Sequence, residues 1–276
     1  MKRLIMLSLA ILIGLLSFTS YAFAEGEDNG SAEQPPAKQE EKLIPDSAMS
    51  ISKENTYPNP TQDLPRLHPS DLATELLDTT DIEIANPDLI KMFNESTIKG
   101  SKLALGMNVS IYLGQWPLAY DSDETTVNWE FEKVNTNYSD NRGGTTVKPL
   151  SFNQEQQKKI RGGLTADIAN ADMVQKMMML EAAEKTKLPL SFQTVIGYGT
   201  KAERTYNIPT QNVGYLYAYV PAVNEKGKVT YGEVYLRMKG DKRWLEVKNV
   251  TQQGIGAWIP IQDYLDFKFI TSPQPK

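Results

Sequence analysis

The feature that most constrains the fold is an alternation of apolar with polar or aromatic residues over residues 213–250. In a β-strand successive side chains point to opposite faces, so a period of two predicts strands with two different faces. Glycine-containing segments at 224–228 and 239–242 interrupt this stretch, and each suits a β-hairpin. The pattern therefore predicts a three-stranded antiparallel meander.

Both turns predict a register in which apolar residues face one another. A three-residue loop at 224–228 places Leu216 opposite Leu236, and a two-residue turn at 239–242 places Leu245 opposite the same leucine. A slip by one residue would mix the two faces, so the agreement between the turns favours this register.

The two faces of the predicted meander differ in chemistry. One face is aliphatic and consists of Leu216, Ala218, Val234, Leu236, Leu245 and Val247. The other face carries the candidate ligand-binding residues Tyr215, Tyr217, Tyr219, Tyr235, Arg237 and Trp244. Tyrosine and tryptophan offer rigid contact area with a polar tip, which suits a glycan or a peptide. The alternative is a solvated sheet face on which tyrosine serves its β-propensity.

Two helix starts precede the strands. Ser70 is a suitable N-cap for a short helix that ends near Leu77. Asn86 followed by Pro87 combines an N-cap with a proline in the first turn, which predicts a second helix to about Glu95.

A third helix is predicted at 171–185, with methionines on a broad apolar face at positions 173, 177, 178 and 179. These methionines suit either the core or a soft binding groove. Few helices among many alternating segments indicate an α+β fold with a mainly antiparallel β-sheet. We expect the Met-rich helix to pack on the sheet, after two short N-terminal helices.

The N-terminus has the parts of a secretory signal peptide, predicted at residues 1–24. Lys2 and Arg3 precede an apolar run, and an Ala-x-Ala site ends at Ala24. We expect cleavage after Ala24 and a secreted or extracytoplasmic protein. The expected contact with the membrane is limited to this peptide, and arises only if it stays uncleaved.

The mature chain is predicted to have two parts. Residues 25–45 include six acidic and no aromatic residues, which predicts a disordered acidic spacer. Residues 46–276 are expected to form a single α+β domain. Its first part, 46–70, is rich in proline and is predicted to be an extended strap.

The composition argues against several kinds of site. The chain has no cysteine, which rules out disulfides, thiol nucleophiles and thiolate metal sites. His68 is the single histidine and no EF-hand spacing is present, so we expect no metal and no cofactor. A net charge of −5 argues against nucleic acid as a partner. The oligomeric state is left open.

Two enzyme classes can be compared with the sequence. Residues 50–53 match S-x-x-K and residues 139–141 match S-D-N, but K-T-G is absent and prolines surround the first motif. Asp121, Asp123 and Glu124 are candidate glycosidase carboxylates in a polar segment where acids usually face water. A carboxylate-dependent hydrolase of cell-wall polymer is therefore the alternative to a binding protein.

Three longer strings, at 54–65, 214–235 and 254–260, carry a family resemblance. Over about 46–276 the chain resembles the YfkD-like family of exported proteins from bacilli. The resemblance implies an exported protein of a Gram-positive bacterium, and it implies no activity or catalytic residue. We therefore expect a non-enzymatic extracytoplasmic protein of the envelope, with cell-wall glycan, a peptide or an envelope protein as its partner.

Overall fold

The computed structural model describes residues 44–51, 67–96 and 108–276. The predicted signal peptide, at 1–24, lies outside the described residues, as does the predicted spacer up to residue 43. Residues 52–66 of the predicted strap, which include the lysine of the S-x-x-K match, also lie outside them.

The described residues include three helices and ten strands. The helices are α1 (Asp71–Leu77), α2 (Pro87–Glu95) and α3 (Ala171–Thr186). The strands are β1 (Ala48–Ser50), β2 (Asn108–Asp140), β3 (Lys148–Asn153), β4 (Lys158–Arg161), β5 (Gly163–Leu164), β6 (Gln193–Ile196), β7 (Lys201–Ile208), β8 (Val213–Lys239), β9 (Lys242–Pro260) and β10 (Tyr264–Ser272). None of the three described helices has the length and apolarity that crossing a lipid bilayer requires.

The first two helices begin at the predicted caps. The Ser70 hydroxyl accepts a hydrogen bond from the backbone N–H of Ala73, which satisfies one free donor of α1. Asn86 is fully buried, and its side-chain oxygen accepts from the backbone N–H groups of Asp88 and Leu89 at the start of α2. Its Nδ2 donates to the Pro117 carbonyl at 2.6 Å, so the same side chain also ties α2 to β2.

The main sheet is antiparallel and is built around β8. Strand β2 pairs with one edge of β8 from end to end. Along the other edge, β10 pairs with the N-terminal third of β8, and β9 pairs with the remainder. Strands β1 and β5 extend the sheet beyond β10 and β9. The predicted α+β class with a mainly antiparallel sheet is therefore confirmed.

The predicted turn at 224–228 is wrong, because β8 continues through it as one strand of 27 residues. Leu216 pairs with Asn137 and Phe269 instead of Leu236. Gly227 serves a close approach between strands, since a Cβ at this position would lie 2.0 Å from the Asp121 carbonyl oxygen. The glycine that suggested a hairpin therefore lets β2 pass beside β8.

The second turn, at 239–242, is present as the two-residue connection between β8 and β9. Lys239 pairs with Lys242, and the predicted pair of Leu236 and Leu245 forms. Gly240 has a φ of +64°, in the left-handed region that favours glycine. This hairpin is the part of the predicted meander that the structure contains.

Strand β2 has 33 residues against 27 in β8, because the register between them skips seven residues of β2, at β-bulges and irregularities, and one residue of β8. Two of the residues skipped by the register are Leu118 and Val134. Both are buried, with exposed fractions of 0 % and 4 %. Bulges bend a strand and redirect side chains, so here they turn apolar residues of an edge strand into the core.

Three hydrophobic clusters follow one another along β8. The first contains Leu216 and Val220 with residues of β4, β6 and β7. The second contains Val229 and Tyr231, against which the buried methionines of α3 pack. The third contains Leu236 and residues of α1 and α2. Two small antiparallel sheets, β3–β7 and β4–β6, complete the described fold.

Candidate functional site

The six predicted ligand-binding residues fall into two groups at opposite ends of β8. Tyr215, Tyr217 and Tyr219 lie near its start, whereas Tyr235 and Arg237 lie near its end and Trp244 is paired with Arg237 from β9. Tyr217 and Tyr235 are 18 positions apart on one strand, which at about 3.3 Å per residue is at most roughly 60 Å along the strand. The prediction that they face each other across one aromatic platform is wrong, because the strand does not turn at 224–228.

The tyrosines at the start of β8 are occupied by contacts within the chain. Tyr215 is buried, and its ring centroid lies 5.2 Å from that of Tyr138 and 6.2 Å from that of Tyr217. The Lys133 ammonium lies 5.4 Å from the centroid of the Tyr217 ring. Burial, followed by the nearby charge of Glu130, raises the pKa of Tyr219. Among these tyrosines, Tyr138 is the most exposed, at 48 %.

The other group and two side chains from β2 form an outward surface beside the 239–242 turn. We call this surface the hairpin-tip face and define it by Ser110, Tyr112, Tyr235, Arg237, Trp244, Glu246 and Lys248. Two cross-strand rows organise it. Tyr112, Tyr235 and Glu246 form one row, and Ser110, Arg237 and Trp244 form the next.

Aromatic rings of the hairpin-tip face are in contact and partly open to solvent. The ring centroids of Tyr112 and Tyr235 lie 5.1 Å apart in a tilted arrangement. Tyr112 is 55 % exposed and Trp244 is 36 % exposed. The two rings therefore offer flat apolar area beside a polar row, as ligand-contacting aromatics commonly do.

Two positively charged side chains lie close to the ring of Tyr235. The Arg237 guanidinium and the Lys248 ammonium lie 5.7 Å and 5.4 Å from the centroid of the Tyr235 ring. Arg237 donates from Nε to Glu246, and Lys248 lies 3.3 Å from the other oxygen of that carboxylate. The hydrogen bond from Arg237 lowers the pKa of Glu246, so this carboxylate is charged at neutral pH.

The Tyr235 hydroxyl is held as a donor. It donates to Glu233 Oε2 at 2.8 Å, and this hydrogen bond, followed by burial, raises the pKa of Tyr235. Side chains on the face therefore have restricted orientations before any ligand arrives. Such pre-organisation lowers the entropy cost of binding.

An open hollow of about 440 Å³ lies on this part of the sheet. Its lining includes Ser110, Arg237, Lys239, Trp244 and Glu246. A space of this size falls within the range of small-molecule sites. It combines one aromatic wall with a hydroxyl, two cations and a carboxylate.

Sequence reasoning missed Ser110, Tyr112 and Lys239. The alternation in 103–113 already separates Ser110 and Tyr112 from the apolar positions, so their shared face could have been recognised. Their position beside Arg237 and Tyr235 could not, because a period of two does not tell which strands pair.

Of the three candidate glycosidase acids, Asp123 and Glu124 form ion pairs on the surface, and Asp121 pairs with Lys228 in the β2–β8 register. Glu124 lies 2.8 Å from Lys226, and Asp123 lies 4.0 Å from Lys228. Both carboxylates are about half exposed. These pairs resemble ordinary solvated ion pairs more than a catalytic acid and base facing a shared substrate.

Glu225 is the acid in this region that the structure buries completely. It accepts hydrogen bonds from the Tyr120 hydroxyl at 2.9 Å and the Thr125 hydroxyl at 2.6 Å. Burial, followed by the charge of Glu225, raises the pKa of Tyr120. The arrangement stabilises a buried carboxylate with two donors, and it joins β2 to β8.

The remaining motif candidates have structural explanations. Ser50 is the last residue of β1, so the S-x-x-K match does not start on a helix. Asn141 of the S-D-N match is buried and donates to the carbonyl groups of Thr146, Ile208 and Pro209. Among the described residues, no group of three or more His, Asp or Glu side chains is arranged to hold a metal ion.

Comparison with known proteins gives one family. The model of the family described as YfkD-like protein matches residues 45–276. An uncharacterized protein YfkD of Bacillus subtilis (strain 168) is 56 % identical over 243 residues, which cover 88 % of this chain and 92 % of that protein.

Among solved structures, the structure of aerolysin-like protein (Bombina maxima) was found, with 9 % identity and a TM-score of 0.15 over 60 % of this chain and 99 % of that chain. A TM-score this low does not establish a shared fold. The family match and the relative from Bacillus subtilis do establish the family, and they confirm the resemblance found in the residues. The chain belongs to the YfkD-like family.

Proposed function

We propose that this protein is an exported, non-enzymatic protein of the Gram-positive envelope that binds a glycan on its hairpin-tip face. The basic, apolar and Ala-x-Ala parts of residues 1–24 support export. The proposed site is the hollow beside Trp244, together with the exposed ring of Tyr112.

The observation that carries the proposal is the exposed Trp244 at the wall of a polar hollow. A sugar ring has apolar C–H faces and a rim of hydroxyl groups, so it can stack on an indole while its hydroxyls form hydrogen bonds. Ser110, Arg237 and Glu246 provide hydroxyl, guanidinium and carboxylate groups beside the indole.

The position of the hollow favours a glycan over an extended peptide. Peptides that add to a sheet use the free backbone groups of an edge strand. Arg237 is paired with β2 on one side and with β9 on the other, and the side chains of Arg237, Trp244 and Glu246 line the hollow, so side chains make the contacts. A ligand with many hydroxyl groups fits such a surface better than a strand does.

The alternative, a carboxylate-dependent hydrolase, has less support. Asp123 and Glu124 each face a lysine at the surface, and Glu225 is enclosed by hydroxyl donors. We therefore assign these acids to the stability of the β2–β8 pair.

Co-sedimentation of the purified protein with insoluble cell-wall polymer tests the proposal. We expect the wild-type protein to sediment with the polymer, and the double variant Tyr112→Ser, Trp244→Ala to lose at least nine-tenths of this retention. The matched control Tyr138→Ser, Tyr217→Ser alters two tyrosines at the other end of the sheet and should be retained like the wild type. Melting temperatures of all three proteins check that folding is intact.

Two outcomes would overturn the proposal. Either the wild-type protein stays in the supernatant, or the hairpin-tip variant sediments as well as the wild type. If only the control variant loses retention, the second outcome holds, and the binding site lies at the opposite end of the sheet.

A further inference from the structure

We propose that the glycan bound by the hairpin-tip face carries an anionic group, a phosphate or a carboxylate, held by Arg237 and Lys239. This inference rests on the proposed glycan-binding function and specifies the chemistry of its ligand.

The Arg237 guanidinium is held in place by contacts within the chain, and only one of its nitrogens donates a hydrogen bond in the described part of the chain. Its Nε donates to Glu246, and its planar group lies over the Tyr235 ring. Within the part of the chain that the structure describes, its terminal Nη1 and Nη2 atoms donate to no group. Two parallel N–H donors in a fixed plane match the oxygens of a carboxylate or a phosphate.

Lys239 supplies a second positive charge at the same hollow. Its residue is exposed at the end of β8, and no described residue forms an ion pair with it. A compact ammonium on a flexible stem can follow an anionic group that Arg237 orients. The two cations are two positions apart on β8, so their side chains project from the same face of the sheet.

The charge balance of the hollow favours an anion. Glu246 is its one lining carboxylate among the described residues, and Arg237 and Lys248 both neutralise it. The lining therefore has a net charge of +1 from Arg237, Lys239 and Glu246, whereas the whole chain has −5. A local surplus of positive charge on an acidic protein attracts anionic ligands.

Trp244 places the sugar beside these cations. It is the direct cross-strand neighbour of Arg237, so the two Cβ atoms lie about 5 Å apart. A sugar ring stacked on the indole then brings a substituent on its rim to the guanidinium. The geometry assigns the ring to Trp244 and the anionic substituent to Arg237 and Lys239.

Binding to matched pairs of glycans tests this assignment. The carboxylate pair is oligogalacturonate and its fully methyl-esterified form, and the phosphate pair is phosphomannan and unphosphorylated mannan. Calorimetry or biosensor measurements on the purified protein compare the members of each pair. We expect at least one anionic member to bind ten-fold or more tightly than its neutral partner, with affinity that falls as salt is added.

Two variants separate the roles of the cations. Arg237→Lys keeps the charge and loses the paired donors, and we expect it to weaken binding of the anionic glycan about five-fold or more. Lys239→Gln changes an exposed side chain with no described ion pair, so folding should be unaffected while anionic binding weakens. In both variants the ratio of affinities between the anionic and the neutral member of each pair should therefore fall.

The outcomes distinguish this inference from the proposed function. If neutral and anionic members bind equally well, or if Lys239→Gln and Arg237→Lys both bind anionic glycan like the wild type, the inference is overturned and glycan binding stands. If no glycan binds and the protein is not retained by wall polymer, the proposed function itself fails. If the protein prefers the anionic member in only one of the two pairs, the inference is supported, and that pair identifies the anionic group as a carboxylate or a phosphate.

Discussion

Asp266 is a buried acid on the same face of the sheet as the tyrosines at the start of β8. It is 4 % exposed and lies between Tyr219 of β8 and Ala48 of β1. Its Oδ1 has no hydrogen-bond partner. Burial, with a smaller contribution from the negative charge of Glu130, raises its pKa above the ordinary 3.8.

Replacing this acid should change how stability depends on pH. Because its pKa is higher in the folded state than in the unfolded state, the folded protein loses stability as pH rises through the raised value. We expect Asp266→Asn to remove this loss, so the melting temperature of the variant relative to the wild type should rise as pH increases above the ordinary value of 3.8 and level off above the raised pKa. Thermal unfolding at several pH values measures it. A difference in melting temperature that is the same at every pH would contradict the explanation.

At the scale of single residues, the sequence was informative where the role is local. Ser70 and Asn86 could be recognised as caps, because a cap bonds to backbone groups two or three positions away. The burial of Glu225 could not be predicted, since its two hydroxyl donors lie about a hundred positions earlier in the chain. The same limit applies to Tyr112 beside Tyr235.

At the scale of elements, Gly227 explains why a turn-like sequence forms a strand. Asparagine, lysine and glycine at 224–228 are typical of a hairpin loop. In the structure the β2 backbone at Asp121 runs close beside this glycine, and Glu225, two positions earlier, accepts hydrogen bonds from β2. Composition that suits a turn also suits a close contact between strands.

Substitution of two glycines in the same part of the sheet tests this role. A Cβ on Gly227 would meet the Asp121 carbonyl oxygen at 2.0 Å and the Tyr120 hydroxyl at 2.7 Å. We therefore expect Gly227→Ala to lower the free energy of unfolding by about 1–3 kcal/mol. Chemical denaturation measures the change.

The control is Gly254→Ala on the neighbouring strand. A Cβ there meets its nearest atom, the Gly227 carbonyl oxygen, at 4.0 Å. We expect a change between zero and a gain of about 1 kcal/mol, because alanine has fewer unfolded conformations than glycine. Equal losses for the two variants would show that close approach of β2 is not the reason for Gly227.

The two turns differ in a way that the sequence does not reveal. At 239–242 the strands on both sides can bury their apolar residues against each other and against α1. At 224–228 the following residues instead continue along β2, where Val229 and Tyr231 reach the cluster under α3. Tertiary packing, which acts on whole elements, thus outweighs local turn propensity.

At the scale of the whole molecule, β8 connects three hydrophobic clusters. The side chains that face the core change from even to odd numbers between Val220 and Val223, and back to even between Tyr231 and Val234. Register shifts in the neighbouring strands coincide with these changes. A single strand therefore contributes to every cluster, and we expect the clusters to unfold together.

Core substitutions at the two ends of β8 test this coupling. Leu216 and Leu236 are almost fully buried, in the first and third clusters. We expect Leu216→Ala and Leu236→Ala each to lower the free energy of unfolding by about 2–5 kcal/mol. In each variant, tryptophan fluorescence and circular dichroism should report the same single transition.

Independent clusters would give a different result. Trp116 and Trp244 lie near Leu236, whereas Trp129 packs against the second cluster and Trp258 pairs with Asn224 in the middle of β8. If the clusters unfold separately, Leu236→Ala would shift only the part of the fluorescence transition that Trp116 and Trp244 report and leave part of the circular dichroism transition in place. Two separated transitions in either variant would contradict the coupling through β8.

The sequence by itself determined the local features of this protein: the α+β class, the starts of α1 and α2, the hairpin at 239–242 and the alternation of faces along the strands. These depend on contacts between residues that are close in the chain. Tertiary structure alone decided that β8 continues through 224–228, that β2 bulges around it, and that Tyr235 meets Tyr112 instead of Tyr217. An alternation with a period of two in the sequence shows which face of the sheet a side chain occupies. Which side chains become its neighbours depends on how strands that are distant in the sequence pack together.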